Sequence, residues 1–111
     1  MIIHDIEWQQ TIPTIGYCIK NPKAAFLLEW SDGEAYEAEF FSSWESDNLG
    51  ELEIDEDDPR FDEFHQCSFD ITKIVKDGPR RYHDAITIDY RDFPARITDL
   101  TNHVTVYPAQ E

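Results

Sequence analysis

The side chains that most often bind zinc are cysteine and histidine, and the chain has four histidines and two cysteines. The closest pair is His65 and Cys67. The other four are scattered along the sequence as His4, Cys18, His83 and His103. A structural zinc site favours paired ligands, such as two cysteines separated by two to four residues, and the sequence has no such pair. The spacing therefore predicts no metal site, with Cys67 in a buried strand and the histidines at the surface.

Acidic residues alternate between positions 53 and 57, as ligands do in a calcium-binding loop. An EF-hand loop, however, needs glycine at its sixth position and a bidentate glutamate at its twelfth. Counting from Asp47 the sixth residue is Leu52, and counting from Glu53 it is Asp58. The sequence therefore predicts no specific calcium site and no cofactor.

Motifs for nucleophilic catalysis or phosphate binding are absent from the sequence. There is no Gly-x-Ser-x-Gly segment, and the four glycines are too far apart to form a phosphate-binding loop. His83 and Asp84 have the composition of a base and its orienting acid, but adjacent residues of a regular strand point to opposite faces. We therefore expect no catalytic residues and no enzymatic activity. The alternative, a small enzymatic or metal-binding domain, requires a defined pocket or a bound ion.

The segment of residues 45–63 is the most distinctive part of the sequence, because ten of its residues are acidic and only Arg60 is basic. Trp44 directly precedes it. An aromatic anchor surrounded by charged residues is typical of a tight protein interface. The predicted partner-binding residues are Trp44, Asp47, Glu51, Glu53, Asp55, Glu56, Asp57 and Asp58.

The charge of the whole chain is −15, from 24 acidic and nine basic residues. Such a charge repels nucleic acid and anionic membranes and attracts basic proteins. Six of the nine basic residues fall between positions 73 and 96, so the two signs are segregated along the sequence. The alternative interpretation is a solvated surface that binds nothing in particular. In an extended segment, acidic residues would also imitate the row of phosphates along a DNA strand, which are about 3.4 Å apart.

The size of the chain, 111 residues of which 41% are hydrophobic, is that of one domain, and we expect residues 1–111 to form it. The N-terminus does not resemble a signal peptide, and no apolar run approaches the about 20 residues of a transmembrane helix. Two cysteines are too few for a disulfide-rich secreted scaffold, so we expect reduced thiols, with one disulfide as the alternative. These features predict a soluble cytoplasmic protein.

The pattern of elements predicts an α+β fold: a mostly antiparallel sheet of five or six strands with one or two short helices. The clearest element is a hairpin in which residues 25–30 and 35–41 flank an Asp-Gly turn. Alternating or apolar segments predict further strands at residues 2–8, 17–20, 67–75, 82–90 and 104–107.

The remaining segments are predicted to be a loop and a helix. Residues 45–63 are expected to form a long acidic loop, with brief sheet-edge pairing at 51–54 and one helical turn after Pro59. Asp92 is a candidate N-cap, and apolar residues follow it at helical spacing at positions 93, 97 and 100. This spacing predicts a helix that ends near residue 102.

Three segments together resemble a known family. They are the Asp-Gly hairpin of residues 26–40, the Phe-Ser-Ser-Trp segment of residues 41–44, and the unit of residues 85–92 that leads into Ile97 and Leu100. This layout, which covers residues 25–104, is similar to that of the small acidic immunity proteins of bacterial polymorphic-toxin and contact-dependent growth inhibition systems. The resemblance implies a stoichiometric inhibitor that binds a basic toxin, often a nuclease, and blocks its active site or an exosite.

The sequence thus predicts an immunity protein that binds and neutralises a basic, nuclease-type toxin through the acidic segment. Its partner is expected to be a protein, with no direct contact to nucleic acid or membrane. Two alternatives stay open besides a small enzyme or metal-binding domain. One is an acidic nucleic-acid mimic of the anti-restriction type, and the other is a solubilising or assembly module.

Overall fold

The computed structural model describes residues 4–80 and 82–108 and confirms the predicted α+β class. The strands are β1 (Ala25–Glu29), β2 (Ala35–Asp47), β3 (Glu63–Lys76), β4 (Ala85–Ile88), β5 (Arg96–Asp99) and β6 (Val104–Tyr107). They form one antiparallel sheet in the order β4-β3-β2-β1-β5-β6. The helices are α1 (Thr11–Lys20) and α2 (Leu49–Leu52), and short 3₁₀ helices span Asp5–Trp8 and Tyr90–Asp92.

The hairpin of β1 and β2 is confirmed. The backbone N–H of Trp30 donates to the carbonyl of Glu34 at 2.9 Å, and Gly33 has a φ of 97°, a conformation that favours glycine. Leu28 lies opposite Tyr36 across the pair, and both are buried. β2 continues to Asp47 and pairs with β3 along its whole length, so it is longer than the sequence predicts.

The predicted strand at residues 2–8 is wrong where the structure describes it, and residues 2 and 3 lie outside the described residues. Residues Asp5–Trp8 form a 3₁₀ helix, because the Glu7 side chain reaches back to accept from the His4 backbone N–H at 2.9 Å. Burial also differs from that of a strand with its apolar residues on the buried face, because Glu7 is buried whereas Trp8 is 58% exposed.

The predicted strand at residues 17–20 is also wrong, because these residues are the last turns of α1. Pro13 lies in the first turn of this helix, where a missing backbone N–H removes no helical hydrogen bond. α1 adds Cys18 to the core, with Ile15 and Tyr17 packed against it. The core itself is formed by the buried aromatic and aliphatic side chains of the sheet, among them Phe26, Leu28, Tyr36, Phe69, Ile86, Ile88 and Ile97.

The predicted helix after Asp92 is replaced by a strand. Asp92 ends a 3₁₀ helix, and β5 then pairs with β1 so that Ile97 lies opposite the buried Leu28. Pairing with a strand distant in sequence outweighs the local helical spacing. The strand predicted at 82–90 is shorter, since β4 covers only Ala85–Ile88. The strands predicted at 67–75 and 104–107 are confirmed by β3 and β6.

The acidic segment is more ordered than a simple loop. Its first residues belong to β2, its last residue begins β3, and α2 forms where pairing at a sheet edge was predicted. The helical turn predicted after Pro59 is instead a tight turn, in which the N–H of Phe61 donates to the carbonyl of Asp58 at 2.9 Å. Within the described residues, no helix is both long enough and apolar enough to cross a membrane.

Candidate interaction surface

The acidic loop, which we define as residues 47–62, is closed at its base by Asn48. The Asn48 side chain donates to the carbonyl of Arg60 at 2.7 Å and accepts from the backbone N–H of Asp62 at 2.8 Å. The backbone N–H of Asn48 also donates to the carbonyl of Asp62 at 3.2 Å. Three hydrogen bonds at one residue therefore fix the two ends of the loop to each other.

Turns within the loop set the directions of its carboxylates. The Asp47 side chain accepts from the N–H of Leu49 at 3.1 Å, at the start of α2. Glu53 ends α2 in the left-handed region, with a φ of 53°. Because α2 and turns replace an extended chain, the strand-like spacing that would imitate phosphates is not present at residues 51–58. The condition for imitating a row of phosphates, an extended segment, is therefore not met at these residues.

Two of the predicted acids have cationic partners. Asp58 Oδ2 is 3.0 Å from Nη2 of Arg60. Hydrogen bonds from the side chain and the backbone N–H of Arg60 hold the pKa of the Asp58 carboxyl below its usual value. Glu51 contacts Arg91 at 3.0 Å, across 40 residues of sequence. The other five are exposed and make no ion pair with any cation among the described residues. They are Asp47, Glu53, Asp55, Glu56 and Asp57.

Trp44 lies on β2 opposite Gln66 of β3, and its side chain is 41% exposed. Its indole Nε1–H donates to Gln66 Oε1 at 3.0 Å, and Gln66 Nε2 donates to Asp89 Oδ2 at 2.9 Å. Arg91 then donates to the same Asp89 oxygen at 2.9 Å and to Glu51 Oε2 at 3.0 Å. A continuous chain of hydrogen bonds therefore connects the predicted aromatic anchor to the acidic loop.

Arg91 is the centre of this chain, and sequence reasoning missed it. Its guanidinium lies 4.0 Å from the centroid of the Phe64 ring, and hydrogen bonding to Asp89 and then to Glu51 raises its pKa. Burial acts to raise the pKa of Asp89, but hydrogen bonds from Arg91 and Gln66 outweigh it and lower the value. The sequence offers only the Asp89-x-Arg91 spacing, and this spacing does not indicate that Arg91 contacts Glu51 in the acidic loop.

A second group of polar side chains lies at the base of the acidic loop. His4 Nε2 is 2.6 Å from Asp62 Oδ1, and the Tyr90 hydroxyl donates to the other oxygen of Asp62. The rings of His4 and Tyr90 are stacked, with centroids 4.2 Å apart. The buried carboxylate of Glu7 accepts from the backbone N–H of His65 at 2.7 Å. These contacts attach the N-terminal segment to the end of the acidic loop and to the start of β3.

The residues considered for metal binding are dispersed. Cys18 and Cys67, both among the described residues, are free buried thiols, and burial raises the pKa of each. In the described part of the chain, no group of three or more histidine, cysteine or acidic side chains is arranged to hold a metal ion. Two surface depressions, of about 280 and 340 Å³, are lined by residues that include none of the predicted site residues.

The chain was compared with protein-family models, with curated proteins and with solved structures, and none of these comparisons finds a match.

Proposed function

We propose that this protein is a stoichiometric inhibitor of a basic protein, acting as an immunity protein for a nuclease-type toxin. The observation that carries the proposal is the set of five exposed carboxylates without a cationic partner among the described residues, on a loop whose base is fixed by hydrogen bonds. A fixed array of one sign attracts an oppositely charged groove and loses little entropy on docking.

Trp44 supplies the apolar part of the interface. Its ring is exposed beside the acids, and the hydrogen bonds through Gln66, Asp89 and Arg91 link it to Glu51. Aromatic anchors of this kind carry much of the affinity of protein complexes, whereas charges at the rim accelerate association. We therefore expect Trp44 to control mainly the dissociation rate of the complex and the loop carboxylates to control mainly its association rate. The resemblance of the sequence layout to that of acidic immunity proteins favours a toxin as the partner.

The test is to express the protein encoded directly upstream of this gene, which is where an immunity gene's toxin lies, with and without this chain. We expect the upstream protein to arrest growth alone, and co-expression to restore growth and give a one-to-one complex. Trp44→Ala should raise the dissociation rate by about 30-fold, equivalent to ~2 kcal/mol. A harmless upstream protein, or a toxic one that this chain neither binds nor neutralises, would contradict the proposal.

A further inference from the structure

β2 extends beyond one of its two neighbouring strands, which leaves part of its edge without a described neighbour. β1 pairs with β2 only over residues 35–39, whereas β3 pairs with β2 as far as Asp47. Among the described residues, no backbone hydrogen bond from another element reaches residues 42–47 on the side that β1 leaves open. Their pairing with β3 contains no shift in register, so they form a regular strand whose free edge is about 20 Å long.

The other free edges of the described sheet carry features that discourage a further strand. β4 and β6, the outermost strands, have only four residues each, and Pro108 follows β6. Beyond its pairing with β4, the free part of β3 carries Lys73 and Lys76. Short strands, proline and lysine protect sheet edges against pairing with another chain, and residues 42–47 contain neither proline nor lysine. This edge is therefore the most open to an added strand.

The two faces of residues 42–47 differ in chemistry. Successive side chains of a strand point to opposite faces, so Trp44 lies on one face whereas Glu45 and Asp47 lie on the other. Trp44 is 41% exposed, and both carboxylates are exposed. An added strand would place every second residue beside the indole and the residues between them beside the carboxylates. The segment that fits this edge therefore alternates apolar and basic residues.

We propose that residues 42–47 of β2 bind an extended segment of a basic protein partner, which joins the sheet as an added strand and alternates apolar residues with lysine or arginine. Backbone hydrogen bonds to the added strand supply affinity, and contacts with Trp44, Glu45 and Asp47 select its sequence. The acidic loop begins at Asp47, where this edge ends, so the edge and the loop form one continuous surface. The inference rests on the proposed function for the basic partner and extends the interface from the loop to the neighbouring strand.

A second copy of this chain fits the edge poorly. Pairing two β2 edges would bring the Glu45 and Asp47 carboxylates of both copies to the same pair of strands, and each copy has a net charge of −15. Like charges opposite each other in a strand pair are destabilising. Charge complementarity therefore selects a basic segment as the occupant, and self-association is an outcome that would overturn the proposal.

The experiment uses a capped synthetic peptide of five Lys-Val repeats at low salt and follows amide hydrogen exchange in the natural chain by NMR. At a peptide concentration about ten times the Kd, every second amide of residues 42–47 should gain about tenfold in protection, because exchange then requires the small unbound fraction. The amides between them, which point to β3, should not change. Since this test needs no toxin, its failure is distinct from a failure of the proposed function, which the co-expression experiment decides.

Two control peptides separate strand addition from charge attraction alone. A Lys-Val peptide with its four central amides N-methylated keeps every charge but loses hydrogen-bond donors at both of its edges, and should bind at least about tenfold more weakly. A peptide of Glu-Val repeats should not bind. Equal affinity of the two lysine peptides, protection gained only at residues 48–58, or no binding of the unmethylated peptide would each overturn the proposal.

Glu45→Lys tests the edge in the protein itself. Glu39→Lys is its matched control, because Glu39 is also exposed and lies on the same strand where β1 pairs with it. We expect Glu45→Lys to weaken binding of the Lys-Val peptide by about tenfold and Glu39→Lys by less than about threefold. Equal weakening, or a natural chain that is a dimer with the alternating protection already present without peptide, would overturn the proposal. If Glu45→Lys disturbs the fold, the comparison of the two lysine peptides still decides the outcome.

Discussion

Acidic turns lie at both ends of β2, but they differ in ion pairing: the carboxylates at one end contact a shared arginine, and most of those at the other end contact no described cation. At the hairpin end, Arg80 contacts Asp32 at 2.9 Å, the buried Glu34 at 3.0 Å and Asp92 at 2.6 Å. Its guanidinium also lies 4.8 Å from the centroid of the Trp30 ring. At the other end, the acidic loop presents five carboxylates that pair with no cation among the described residues.

The comparison shows that acidic residues near one strand lie in two different electrostatic environments. At the hairpin end, hydrogen bonding to Asp92, with further bonds to Asp32 and Glu34, raises the pKa of Arg80, so that end is an internal ion network. Removing its cation leaves a buried charge without compensation. At the loop end five carboxylates are exposed, and on the proposed function they attract a basic partner.

The largest effect is expected from Arg80→Met. The substitution leaves the fully buried Glu34 carboxylate without a cation among the described residues, which we expect to lower the free energy of unfolding by about 3–5 kcal/mol in urea titrations. Arg60→Met is the matched control at the loop end, where the Arg60 side chain is 63% exposed, and it should leave the urea midpoint unchanged. Equal losses in both variants would remove the distinction between the two ends.

An intermediate effect is expected from reversing three loop charges, Glu53→Lys, Asp55→Lys and Asp57→Lys together. On the proposed function, the association rate constant with the upstream-encoded protein should fall by about 10- to 1,000-fold at low salt. The melting temperature should stay the same or rise, since none of the three carboxylates pairs with a described cation and net self-repulsion decreases.

The control for this variant makes the same change of charge elsewhere. Glu39, Asp70 and Asp84 are exposed, lie outside the acidic loop and form no ion pair within the described residues. Changing these three to lysine should reduce the association rate several-fold less than the loop variant does. If the two triple variants are equally slow, net charge alone governs the encounter and the loop is not the interface.

The sequence predicted the fold correctly where apolar and polar residues alternate because the two faces of a strand differ in burial. Phe26 and Leu28 alternate with half-buried residues in β1, and Gly33 supplies the positive φ of the turn. The same alternation was misleading at residues 4–8, because Glu7 is buried by a hydrogen bond from the His65 backbone, 58 residues away. Only the folded chain brings these groups together.

The candidate site was predictable in position but not in detail. The position of the candidate site in the sequence follows from the high number of acidic residues in 45–63, which is read directly from the sequence. The pairing of Glu51 depends on Arg91, and the link to Trp44 depends on Gln66 and Asp89. These three residues come from β3 or from the segment after β4. Sequence spacing carries no information on such contacts, since they form across the sheet.

The smallest effect is expected at alkaline pH. Near each end of β2 a tyrosine donates to a carboxylate: Tyr36 donates to Glu34 at the hairpin end, and Tyr90, from the 3₁₀ helix Tyr90–Asp92, donates to Asp62 at the end of the acidic loop. Burial, together with the hydrogen bond to Glu34, raises the pKa of Tyr36 to about 12, and burial with the bond to Asp62 raises the pKa of Tyr90 to about 12. An unfolded phenol ionises near pH 10. Each pair therefore stabilises the fold below about pH 10, and this contribution is lost as the pH rises toward 12.

Replacing either tyrosine by phenylalanine should make the loss of stability between pH 10 and 12 less steep, which urea unfolding at a series of pH values measures. At pH 7 the two variants should differ. Tyr36→Phe leaves the buried Glu34 without one donor and the Tyr82 backbone N–H without its acceptor, whereas Asp62 keeps His4 as a partner in Tyr90→Phe. If Tyr90→Phe is the more destabilising at pH 7, the hairpin end is not the more tightly coupled of the two, and the contrast drawn from Arg80 fails.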